Sequence, residues 1–121
     1  MTAKDMLVKA LKLLGYTDAS GNEQLTDRIM NKSISMLNVV YNDLWDIEKS
    51  GDFEPITRLA DNIELSAKAL GVMQFGVAAF IAQSENDGDQ QQLWMSTFNS
   101  KRRSLTKHTQ IIDDIPRSYD I

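Results

Sequence analysis

An all-α fold, a small bundle of about four helices with an extended C-terminal tail, is what this sequence predicts. Three observations carry the prediction. Apolar residues recur at three- and four-residue spacing over two long segments, no strand-like alternation of useful length occurs, and Ala69 to Ala82 is apolar on every side except at Gln74. The apolar segment is too short for a bilayer, which takes about 20 residues in a row. It therefore has to be covered by the rest of its own chain or by sister subunits.

The first helix spans about 3 to 14. Thr2 stands where an N-cap belongs, Met6, Leu7, Ala10, Leu11 and Leu14 form one apolar stripe, and Gly15 suits a left-handed C-terminal cap. Residues 16 to 22, with Asp18, Ser20 and Gly21, read as a loop. The longest helical signal follows, from about Glu23 to Ser50, and Gly51 ends it. Asn31, Ser35, Asn38, Asn42, Asp46 and Lys49 make one polar stripe along it. Ile29, Met30, Ser33, Ile34, Met36, Leu37, Val40, Leu44 and Ile47 fill the remainder, a wide buried face.

Residues 51 to 60, with Pro55, form a connecting loop. Asp61 and Glu64 then stand three apart as in a capping box, so the third helix is expected from 62 to about 85. Asn86-Asp87-Gly88-Asp89 is a turn in which Asp87 or Asp89 caps a fourth helix reaching about Lys107, with Trp94, Phe98 and Leu105 on its buried side. Residues 1–108 are thus expected to form one helical domain. Residues 109–121 form an apolar, extended tail, because Asp113-Asp114 and Pro116 disfavour helical continuation among Ile111, Ile112, Ile115, Tyr119 and Ile121. That tail either folds back on its own domain or docks on a partner.

Thirteen Lys and Arg against seventeen Asp and Glu leave a net charge of −4, which argues against a protein whose main task is gripping nucleic acid. There is no cysteine, so disulfides, thiolate metal sites and cysteine nucleophiles are excluded. Asp5 and Lys9 interrupt the apolar core that a secretory leader would need, so none is expected.

Catalytic patterns are missing. The single histidine, His108, has no serine-aspartate setting and reads as a helix-end residue favoured by the dipole. Asp87-Gly88-Asp89 lacks the glycine and glutamate that complete a calcium loop, and the glycines fall in no phosphate-binding pattern. No enzyme, cofactor or metal is therefore expected.

What stands out instead is contact surface. Lys101, Arg102, Arg103 and Lys107 form the one basic cluster, either offsetting the dipole of the fourth helix or meeting DNA phosphates or an acidic partner. Trp45 projects from the polar stripe, so Phe53, Pro55 and Ile56 cover it or it anchors an interface. Gly76 and Ala79, with Phe80, lie on a helix whose small residues admit another helix closely, within the chain or between subunits.

The order of short motifs is also distinctive. Leu11-Lys12-Leu13-Leu14-Gly15-Tyr16-Thr17 is followed by Asn42-Asp43-Leu44-Trp45, Pro55-Ile56, Asp61-Asn62-Ile63, Phe75-Gly76-Val77-Ala78, Gly88-Asp89, Phe98-Asn99, Lys101-Arg102 and Asp114-Ile115-Pro116. Over nearly the whole chain this resembles the head-tail connector (adaptor) proteins of tailed bacteriophages, a family often labelled as DNA packaging proteins. The resemblance implies a helical subunit of a ring, typically dodecameric, that docks beneath the portal protein, extends the DNA channel, helps retain the packaged genome and offers a platform to the next tail or neck component. Location in the virion neck, assembly in the bacterial cytoplasm, no membrane, and double-stranded DNA passing without sequence-specific binding follow from it. It assigns portal docking to the tail, on Ile111, Ile112, Asp114, Ile115, Pro116 and Tyr119. Trp45, Gly76, Ala79 and Phe80 become candidates for the subunit interface. The competing class is a small helical DNA-binding or regulatory protein that uses the basic end of the fourth helix.

Overall fold

A computed structural model describes residues 1–16, 27–49 and 51–114, with side-chain surroundings for all of these except 27, 28 and 106–114. The described residues form four helices: α1 (Ala3–Leu14), α2 (Asp27–Glu48), α3 (Ala67–Ser84) and α4 (Gly88–Asp114). No strand occurs among them; the one β-like feature is an isolated antiparallel bridge between Thr2 and Asn62.

α1 forms as its sequence predicts. The Thr2 hydroxyl accepts from the Asp5 N–H at 3.1 Å and the Asp5 carboxylate accepts from the Thr2 N–H at 3.3 Å, a reciprocal cap. Gly15 closes the helix at φ 74°, a left-handed conformation that a side chain would oppose. Met6, Leu7, Ala10 and Leu11 are fully buried along the predicted stripe.

α3 is the centre of the bundle. It packs against α1, α2 and α4, and its Ala69, Val72, Met73, Val77, Ala78, Ile81 and Ala82 all enter the core. The chain therefore covers its own all-apolar helix, and of the two readings open to the sequence the intramolecular one holds. Gly76 makes this possible: a β-carbon there would lie 2.9 Å from the Phe98 ring of α4 and 3.0 Å from Val40 of α2, so only glycine lets both helices approach. Gly76 and Ala79 are buried. They present no surface to another subunit, which corrects their assignment as interface candidates.

α3 also begins later than expected. Asp61 and Glu64 do not cap it; Ser66 does, its hydroxyl accepting from the Ala69 N–H at 3.2 Å. The reason is tertiary. α2 holds the preceding segment away from helical geometry: the Asn38 side chain accepts from the Ile56 N–H at 2.7 Å and donates to the Ile56 carbonyl at 2.9 Å. The Tyr41 hydroxyl accepts from the Glu64 N–H at 2.9 Å, and the Glu48 carboxylate accepts from the Ser66 N–H at 2.8 Å and from the Ser66 hydroxyl. From the other side, the N–H groups of Ala3 and Lys4 donate to the carbonyls of Asp61 and Leu59, and Ile63 N–H donates to Met1. Asp61 instead closes the turn before it, accepting from the N–H groups of Thr57 and Arg58 at 3.0 and 3.1 Å. With its backbone groups already partnered, the segment gains little by becoming helix.

α4 starts as expected, with Asp87 accepting from the Gln90 N–H at 3.4 Å and Asn86 at φ 59° completing the turn. It then runs past Lys107 to Asp114, so residues 109–114 continue the helix where an extended tail was expected. Two aspartates lower helix propensity only modestly, and the constraint that a proline imposes falls on the residue before it, here Ile115. Ile111, Ile112 and Asp114 thus lie on the last turns of α4. Ile115, Pro116 and Tyr119, the rest of the docking tail, lie outside the described residues, as does the start assigned to the second helix at residues 23 to 26.

Candidate functional site: the groove between α2 and α4

α2, α3 and α4 together border a groove of about 440 Å³, lined by Val39, Asp43 and Asp46 of α2, Phe80 of α3, and Met95 and Arg102 of α4. Val39 is 56% exposed, the largest apolar exposure among the described large hydrophobic residues, while its neighbour Val40 is buried in the core. The division follows from helical geometry. Adjacent residues are turned about 100° apart, so a Val-Val pair at the edge of the buried face sends one side chain in and one out. Phe80 and Met95, both half-buried, continue the apolar floor.

An ion pair stands on the same groove. The Arg102 guanidinium donates two hydrogen bonds to Asp43, Nε to Oδ2 at 2.5 Å and Nη2 to Oδ1 at 2.9 Å. This two-point geometry is the favoured one for arginine on a carboxylate, and the hydrogen bonds to Asp43 raise the Arg102 pKa further. Asp46, one turn along α2, is exposed and has no ionic partner among the described residues.

Two larger depressions, of about 700 and 600 Å³, overlie the segment from Pro55 to Ser66. Their walls include Tyr41, Glu48 and Asp61, whose polar groups already hold the chain in place. They offer a ligand little that is free. No group of three or more His, Asp or Glu side chains capable of holding a metal occurs among the described residues.

The basic cluster is not brought together as one free patch. Arg102 is committed to Asp43, the Lys101 ammonium sits 5.6 Å from the Phe75 ring centroid, Arg103 is exposed, and the Lys107 side chain lies outside the described residues, as does that of His108. Trp45 is half-buried, and of the two readings the covering loop holds for Phe53. The Trp45 and Phe53 rings meet edge-on with centroids 6.1 Å apart, both touch Tyr41, and the indole N–H donates to the Gly51 carbonyl at 3.3 Å. Phe80 alone of the four interface candidates contributes to the groove.

Sequence reasoning missed Val39 and Met95. The available signal was Val39 followed at helical spacing by Asn42, Asp43 and Asp46: a valine that opens a polar row is exposed apolar surface. It also placed Asn38 on the solvated stripe, whereas Asn38 clamps Ile56.

No family model, curated protein or solved structure matches this chain. No helix among the described residues is long and apolar enough to cross a membrane.

Proposed function

We propose that this chain is a structural subunit of a bacteriophage head-tail adaptor, a ring that docks under the portal, extends the DNA channel and receives the next tail component. The motif order from Leu11 to Pro116 supports the reading, and the observation that carries it is the α2–α4 groove. The core is already complete, with α3 enclosed by its own chain, yet Val39 remains exposed over Phe80 and Met95. A contiguous apolar patch left outside a satisfied core is a surface suited to association. The activity is assembly, not catalysis. A net charge of −4 per copy makes a ring of many copies strongly negative, so duplex DNA would be repelled from a channel wall and could slide. The end of α4 with the residues after it, from Ile111 to Tyr119, is the arm offered to the portal.

The test is the mass of the purified protein by light scattering, alone and mixed with the portal ring of the same source. A ring, or a monomer that becomes a portal-bound ring, is expected, and a chain ending at Gln110 should lose portal binding while keeping its fold. A monomer that ignores the portal but shifts duplex DNA in a salt-dependent way would transfer the protein to the DNA-binding class, with Lys101 and Arg103 as the contacts.

A further inference from the structure

The self-assembly in that reading needs two complementary faces, and the chain carries a pair. Along α1, Lys4, Val8 and Lys12 stand at successive four-residue steps, so they form one row; both lysines are exposed and Val8 is half-buried between them. Lys9, also exposed, flanks the row. α1 holds three lysines against one acid, Asp5. Residues 43 to 54 are the reverse, with Asp43, Asp46, Glu48, Asp52 and Glu54 against Lys49 alone. Next to that acidic stretch the groove presents its exposed Val39 on the same face of α2 as Asp46, which makes no ion pair among the described residues.

We propose that copies of this chain associate head to tail, the α2–α4 groove of one copy receiving the Lys4-Val8-Lys12 face of α1 from the next. Val8 then covers Val39, and Lys12 or Lys4 meets Asp46. The apolar contact supplies affinity, while the charges set orientation and register. A two-fold contact of groove on groove would leave the lysine row of α1 unused, and one of α1 on α1 would oppose lysine rows and leave the groove open; a head-to-tail contact uses both faces. α1 does not line the groove, so the two faces are separate surfaces of one molecule. A contact between two different surfaces repeats from copy to copy, and it closes into a ring where the rotation allows.

The absence of native cysteine makes the test clean. Val8→Cys and Val39→Cys are made singly and together, and the proteins are oxidised mildly at assembly concentration, alone and with the portal ring. The two single variants mixed should give a cross-linked dimer, each alone should stay uncross-linked, and the double variant should give a ladder of covalent oligomers. In a second arm, Lys12→Glu or Asp46→Lys should each reduce wild-type assembly by roughly fivefold at low salt, and the two combined should restore much of it. Disulfide dimers from Val39→Cys alone would overturn the proposal in favour of a two-fold contact. Assembly, or portal capture, without any Val8–Val39 cross-link would overturn this interface and leave the adaptor reading standing. A ladder from a protein that never binds the portal would support the interface and count against the adaptor reading.

Discussion

Gly76 of α3 lies against the Cδ1–Cε1 edge of the Phe98 ring of α4, so close that a β-carbon would stand 2.9 Å from it. The approach is what lets α2 and α4 meet α3 at one point, because Val40 of α2 closes on the same place. Gly76→Ala should gain about 1 kcal/mol of helix propensity and lose more, about 1–3 kcal/mol, through overpacking against a buried ring. A net loss in urea denaturation is expected, and Phe98→Leu in the same chain should recover part of it. A stabilised Gly76→Ala protein would show that the ring moves freely.

Asn38 is expected to behave as a core residue despite its place in a polar row. Asn38→Ala leaves both backbone groups of Ile56 without their partner, at a cost of about 1–3 kcal/mol. Asn42→Ala, at an exposed position one turn on, should fall within about 0.5 kcal/mol of wild type. Thermal denaturation of the two variants side by side is the check; equal melting temperatures would refute the clamp.

The start of α3 can be tested by capping. Ser66→Ala should destabilise by about 1 kcal/mol, whereas Glu64→Gln, at an exposed side chain whose backbone alone is used, should have little effect. The reverse ranking by denaturation would restore the earlier helix start.

Two groups shape the pH dependence. Asp61 accepts hydrogen bonds first from the Thr57 N–H and then from the Arg58 N–H, which hold its carboxyl below the ordinary aspartate value. A depressed folded-state value contributes stability that is present above the unfolded value and is lost as pH falls through the folded one. Asp61→Asn should therefore flatten the acid limb of the stability curve below about pH 4. Tyr16 is the opposite case. Burial, then the charge and hydrogen bond of Asp87, raise its phenol from 10.0 to about 12. Its contribution is complete below pH 10 and disappears as pH rises toward 12, so Tyr16→Phe should remove the alkaline fall in that window. Denaturant midpoints at stepped pH read both.

The Arg102–Asp43 pair is about a third exposed on each side, so its contribution is modest. A double-mutant cycle with Arg102→Gln and Asp43→Asn should give a coupling of about 0.5–1 kcal/mol that shrinks with added salt. No coupling would free Arg102 to act with Lys101 and Arg103 as a basic surface.

From the residues alone, the all-α class, the approximate span of α1 with both caps, the Asn86–Asp89 turn and the inward side of α4, where Phe98 is buried and Trp94 and Leu105 half-buried, were determined, because each rests on interactions within a few residues. Thr2 and Asp5 cap one another, Gly15 needs only its own backbone freedom, and helical spacing of apolar residues declares a buried face without naming what covers it. Only the tertiary structure decided that α3 is enclosed by its own chain, that residues 56 to 66 stay out of helix, and that Val39 and Met95 border an open groove. Asp61 and Glu64 had the local pattern of a capping box, but Asn38, Tyr41 and Glu48 of α2 captured that backbone from 18 to 23 residues away. Local propensity differs by about 1 kcal/mol or less between such alternatives, so a few hydrogen bonds from distant side chains suffice to choose, and their partners are set by how the helices pack.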